Sequence, residues 1–176
     1  MQKNSHQKST TKISLAIPET CYQTSFLFSM PDITLCFYRI TPAYKCNIVP
    51  PQKTILYAPS FLAFWALHYA VKNPHLFSSL WCHGKQWYSP PALAWLKLHL
   101  KNNRRLMGSD VPSLLIMKAL HKHVAVSDYT ALPIGTWLQL VNNYKTNYKQ
   151  LSVPLLWLDN YKNITNIRQI ITQPKN

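Results

Sequence analysis

Asp110-Val-Pro-Ser-Leu-Leu-Ile-Met-Lys-Ala-Leu120, Val124-Ala-Val126, Tyr129-Thr-Ala-Leu-Pro133, Trp137-Leu-Gln-Leu-Val141, Val153-Pro-Leu-Leu-Trp-Leu158 and the run 163–171 follow one another in the last third of the chain. They read as helix, short strand, Leu-Pro turn, strand, strand and helix. Asp110 offers a helix cap, and the residues behind it keep an apolar face at helical spacing. Pro133 breaks the chain before the next apolar run. This order of pieces predicts the α/β class.

The same alternation extends upstream. Lys12 to Ile17 alternates as a strand, and residues 21–29 suit a short helix. Asp32-Ile-Thr-Leu-Cys-Phe-Tyr38 is a strand bounded by Pro31 and Pro42, and Pro50-Pro51 marks a crossover. Thr54 to Ala58 is a strand, Ser60 caps a helix from Phe61 to Lys72, and Asn73-Pro74 ends it. Phe77 to Cys82 is a strand, Pro91 to Leu100 an amphipathic helix, and Arg105 to Met107 a short strand. From residue 54 onward the alternation predicts a mainly parallel, doubly wound sheet.

The chain has 176 residues, of which 47% are hydrophobic, enough for a packed core. Its formal charge is +14, which favours anionic partners without choosing among nucleic acid, acidic surfaces and small anions. Only five residues are acidic, which leaves almost no room for paired-carboxylate catalysis. Cys21, Cys36, Cys46 and Cys82 have no C-x-x-C spacing, so zinc ribbons and dithiol redox chemistry are not expected and the thiols read as reduced and buried. No nucleophile elbow or phosphate-binding glycine loop occurs. Residues 1–11 read as a disordered basic tail without the apolar core of a signal peptide. The longest uncharged run, Thr54 to Val71, is interrupted and short for a bilayer, so a soluble cytoplasmic protein is expected.

Six pieces, in order, resemble the effector-binding domain of LysR-type transcriptional regulators. Asp32 to Tyr38 resembles that family's D-[IV]-A-[IL]-R-[FL]-G strand, and Thr54-Ile-Leu-Tyr-Ala-Pro-Ser-Phe-Leu62 its strand-turn-helix with the A-S-P-x-Y-L pattern. Phe77 to Cys82, Ser109 to Leu115, His121 to Tyr129 and Trp137 to Ile171 are similar to its later elements. The sequence departs from the pattern where Tyr38, His121 and His123 replace glycines and Cys36 replaces an arginine. Nothing in it resembles the winged helix-turn-helix, so the resemblance is to a truncated regulator that reaches DNA only through a missing domain.

The resemblance implies a type-2 periplasmic-binding-protein-like α/β fold with two Rossmann-like lobes of mostly parallel sheet. Lobe I, incomplete, spans residues 12–50 and 158–176, and lobe II spans 51–157. It implies a small, anionic effector such as an organic acid held between the lobes, no catalysis, no cofactor or metal, no membrane, and pairing as a homodimer or with a full-length regulator. The expected ligand-binding residues are Phe37, Tyr38 and Arg39 at one strand end, Ser60 and Phe61 at one helix start, and Ser109, Asp110 and Val111 at another. Arg39 is suited to hold a carboxylate bidentately, and helix starts offer free N–H donors.

Two other chemistries are weighed on the residues. His123-Val-Ala-Val-Ser-Asp128 has the H-x4-D spacing of glycerolipid acyltransferases, but no further acyltransferase block follows it. His121-Lys-His123 is half a metal site with too few carboxylates beside it. The alternative function is nucleic-acid binding. The run Tyr144-Lys-Thr-Asn-Tyr-Lys149 is its best stacking candidate, while Phe64, Trp65 and Trp95 read as core.

Overall fold

In a computed structural model, residues 13–18, 33–40, 53–59, 61–110 and 132–160 are described. The strands are β1 (Ile13–Pro18), β2 (Ile33–Tyr38), β3 (Thr54–Ala58), β4 (Phe77–Cys82) and β5 (Leu155–Trp157). The helices are α1 (Leu62–Lys72), α2 (Pro90–Met107), α3 (Ile134–Asn142) and α4 (Tyr144–Gln150). All five strands are parallel and form one sheet in the order β2-β1-β3-β4-β5. The α/β class and parallel sheet read from the sequence are therefore present. The strand order changes direction between β1 and β3.

Burial follows position in the sheet. Central β1 is buried from Ser14 to Pro18, as expected of a parallel strand covered on both faces, whereas edge strand β2 is only partly covered. Ala16, Leu56, Ala58, Leu80 and Cys82 face the side on which all four described helices pack. Helix α1 contributes Leu62, Ala63, Phe64, Trp65, Ala66, Leu67 and Ala70 to that core, α2 contributes Leu93, Leu96 and Leu100, and α3 contributes Trp137 and Val141. Each large side chain removed from water in this way contributes roughly 1.5–3 kcal/mol. The opposite face carries its own cluster of Leu15, Ile17, Trp81 and Leu158. Within the helix-side core, Thr54 Oγ1 donates to Ser14 Oγ at 3.0 Å, and Cys36 Sγ lies 3.7 Å from the same Ser14 oxygen. That thread satisfies buried hydroxyls across three adjacent strands.

Several expectations are corrected. Strand β1, from the stretch expected in lobe I, pairs directly with β3, from the stretch expected in lobe II, Ser14 opposite Thr54. Arg105 to Met107 is not a strand but the last turn of α2, which continues to Gly108 at φ 98°. The Asn102-Asn103 pair does not stop it, since Asn103 Nδ2 donates to the His99 carbonyl one turn back. Trp137 to Val141 is helix α3, not a strand. Ile134, Trp137, Leu138 and Val141 are buried at helical spacing, and a short apolar run alone does not distinguish the two. Tyr144 to Lys149 is the helix α4, in which Tyr144 packs edge-on against Phe64 rather than standing free. Trp95, expected in the core, is 47% exposed. The expected helix at 21–29, the strand at 124–126, the His121, His123 and Asp128 constellation and the C-terminal helix lie outside the described residues.

No helix among the described residues is long and apolar enough to cross a membrane.

Candidate functional site

The structure separates the expected ligand residues into three settings. Phe37 and Tyr38 close β2, but Tyr38 is fully buried, donates its hydroxyl to the Tyr57 carbonyl at 2.8 Å and stacks on Trp65 at 5.4 Å. Phe37 packs in the cluster on the opposite face, and Arg39 is exposed. Phe61 precedes α1 but is fully buried against Phe64 and Trp87, so it is a core residue. Ser60 and Val111 lie outside the described residues. Ser109 and Asp110 are different: both line an open cleft.

That cleft, of about 560 Å³, sits where the end of α2 meets the start of α3. Besides Ser109 and Asp110 it is lined by Arg104 from the last turn of α2 and by Thr136, Gln139, Asn142 and Asn143. Local sequence explains the meeting. Gly108 ends α2 in a conformation few residues adopt, turning Ser109 toward α3. Pro133 opens α3 in an extended conformation, and the Gly135 N–H donates to the Ser109 carbonyl at 2.9 Å. A β-carbon on Gly135 would meet Ser109 Oγ and press the Ser109 carbonyl at 3.3 Å, so any side chain there requires the serine hydroxyl to turn away and the carbonyl to give slightly. The cleft therefore combines one guanidinium, one carboxylate, hydroxyls and carboxamides beside the positive end of a nine-residue helix.

Of the residues lining this cleft, the sequence reading names Ser109 and Asp110 and does not name Arg104, Thr136, Gln139 or the Asn142-Asn143 pair. The only local signal was Gly135, one of three glycines in the chain. Among the described residues no group of three or more His, Cys, Asp or Glu is placed to hold a metal.

Around the ends of β4 and β5 the polar groups are engaged structurally. Asp159 accepts the Gly84 N–H at 2.7 Å and the Lys85 N–H at 3.1 Å, fixing the left-handed turn at Gly84. Cys82 is completely buried, and burial, reinforced by the Asp159 charge, pushes its thiol far up. A thiol held protonated in this way is inert as a nucleophile. Burial lowers the His83 pKa, with Asp159 opposing, and burial with Lys72 lowers the His68 pKa, with a hydrogen bond to Asn147 opposing.

Both histidines therefore resist protonation in the folded state. As pH falls below the ordinary imidazole range of about 6.5, the unfolded chain takes up protons first and stability declines. Urea midpoints measured at about pH 7.5 and about pH 5.5 are expected to fall with acid. The fall should be smaller in the His83→Asn variant.

No protein-family model and no curated protein matches this chain.

Proposed function

We propose that the chain is a non-catalytic binding domain for a small, polar organic acid, an effector-binding role of the kind implied by its resemblance to LysR-type regulators. The observation that supports this reading is the cleft at the α2–α3 junction. It brings two of the expected ligand residues, Ser109 and Asp110, together with the Arg104 guanidinium. Arg104 supplies a fork suited to a carboxylate, while Asp110, Gln139 and Asn142 supply partners for a hydroxyl or amide on the same ligand. The charge of +14 raises the local concentration of any such anion.

A thermal-shift screen of small organic acids tests the proposal, because a ligand that binds only the folded state raises the melting temperature. At least one hydroxy or keto acid is expected to stabilise the chain. Arg104→Gln is expected to weaken that acid about tenfold or more, since a charge-assisted hydrogen bond contributes about 1.5–3 kcal/mol. A flat screen, or stabilisation that survives Arg104→Gln unchanged, defeats the reading.

Nucleic-acid binding is a second reading, favoured by one observation. Trp95 stacks on His99 at 5.2 Å with 8° between the rings, half exposed on a helix that also carries Lys101 and Arg105. This is a platform for an unpaired base. It requires oligonucleotide affinity that falls steeply with salt and drops in Trp95→Ala. Oligonucleotide binding without both properties removes it.

A further inference from the structure

Toward the start of α2 a second concavity opens beyond the carboxyl ends of β4 and β5, and Tyr144 on its wall is the next residue after Asn143 of the first cleft. Parallel α/β sheets place ligands outside the carboxyl ends of their strands, although the change of strand direction here lies between β1 and β3. The recess is about 240 Å³ and is lined by Lys85, Tyr88, Ser89, Tyr144, Tyr148 and Trp157. Four of the six are aromatic and none is acidic.

The aromatic wall is built from four elements. Tyr88 lies 4.8 Å from Tyr144 and 4.9 Å from Trp157, and Phe64 of α1 backs it at 4.5 Å. Tyr144 contacts Tyr148 one turn along α4 at 5.9 Å, and Tyr148 remains 49% exposed at the mouth. Burial raises the Tyr144 pKa to about 12, so its phenol stays neutral and does not repel an anion. Lys85 is exposed and projects from the turn that Asp159 clamps through two backbone N–H groups. Ser89 Oγ already donates to the Gln86 carbonyl at 3.0 Å, which fixes its position at the rim.

We propose that this recess is a binding site for a single-ring aromatic carboxylate, its ring against Tyr148 and Trp157 and its carboxylate on the Lys85 ammonium. The lysine at the rim disfavours a cation, although the aromatic walls alone would suit one. The volume lies below the usual 300 Å³ floor of drug-sized pockets, which selects one ring over a fused system. Offset stacking on tyrosine and tryptophan favours a planar ring over a saturated one. Its lining shares no residue with the α2–α3 cleft, although Tyr144 directly follows Asn143 in the chain.

Calorimetric titration of the full chain with sodium benzoate, cyclohexanecarboxylate and benzyl alcohol tests the site. Benzoate is expected to bind saturably, cyclohexanecarboxylate at least threefold more weakly, and benzyl alcohol at least tenfold more weakly. Lys85→Met is expected to weaken benzoate about tenfold and Tyr148→Ala several-fold. Both side chains are exposed, so circular dichroism of the two variants should match the parent chain. Arg104→Gln, at the other cleft, should leave benzoate binding unchanged. The proposal is overturned if benzoate does not bind, if it binds no better than its saturated analogue, or if Lys85→Met leaves binding intact. It is also overturned if Arg104→Gln abolishes benzoate binding, which would place the ligand in the first cleft.

Discussion

Trp65→Ala is expected to cost about 3 kcal/mol of folding stability, at the low end of the 3–5 kcal/mol range for removing a buried aromatic. Trp65 is fully buried and lies between Tyr38, at 5.4 Å, and Tyr69, at 5.0 Å, with nearly parallel rings in both contacts. Tyr38 belongs to β2 and Tyr69 to α1, so the indole joins the edge strand to the helix layer. The loss falls at the low end because Trp65 Nε1 is buried without a hydrogen-bond partner among the described residues. Alanine removes that unsatisfied donor along with the ring, which returns roughly 1–3 kcal/mol of desolvation cost. Trp65→Phe separates the two effects: it keeps most of the ring and deletes the orphan N–H. Its loss is expected to stay below about 1.5 kcal/mol. Urea denaturation measures both. Equal losses for the two substitutions would show that the ring stack contributes little. Against a typical domain stability of about 5–15 kcal/mol, the alanine variant is expected to be partly unfolded at 37 °C only if the parent lies near the bottom of that range.

Gly135→Val is expected to destabilise the chain by about 1–3 kcal/mol and to abolish binding in the α2–α3 cleft. The helix start at Gly135 approaches Ser109 closely enough that a β-carbon would overlap Ser109 Oγ and crowd the Ser109 carbonyl at 3.3 Å. The Ser109 hydroxyl can turn away from a β-carbon, but the branched valine also presses on the carbonyl that accepts the Gly135 N–H, which is expected to lengthen the hydrogen bond joining the two sides of the cleft. Arg104 and Thr136 then separate, and a ligand spanning them loses one contact. Denaturant midpoints and acid titration on the same variant read both effects. A variant of unchanged stability and unchanged binding would mean that the two segments do not meet as described.

How much of this was visible beforehand depended on whether a signal was local. Strands β2, β3 and β4 were legible because each is a short apolar run set off by Pro31, Pro59 or Pro74. The end of α1 was legible because Asn73-Pro74 cannot continue a helix, and Asn73 duly caps it through its N–H to the Tyr69 carbonyl. Helix α2 was read as ending at Leu100, yet it runs to Met107, with Asn103 spending its amide on the His99 carbonyl inside it. Trp137 to Val141 was misread because five residues of apolar sequence carry no decisive period, and the burial of Ile134 with them is a tertiary fact.

The site divides in the same way. Ser109 and Asp110 were named through the resemblance, as the start of a helix, and the structure places both on the lining of the α2–α3 cleft. Tyr38 and Phe61 were placed in a cleft by analogy, but both are buried, Tyr38 with its hydroxyl on the Tyr57 carbonyl and Phe61 packed on Phe64 and Trp87. Arg104 and the Asn142-Asn143 pair join the cleft only because α2 packs along α3, which no spacing in the sequence announces. Tyr144 and Tyr148 were singled out for stacking as one exposed run. Folding into α4 divides their roles, with Tyr144 forming the inner wall of a recess and Tyr148 its mouth.

The most direct test of the central claim, that the α2–α3 junction binds a small organic acid, is backbone amide chemical-shift mapping with the acid that most raises the melting temperature. The account predicts saturable shifts at Ser109, Gly135 and Thr136 in the parent chain, largely lost in Arg104→Gln. Saturating acid that moves none of these three amides, or moves them equally in both proteins, would contradict it.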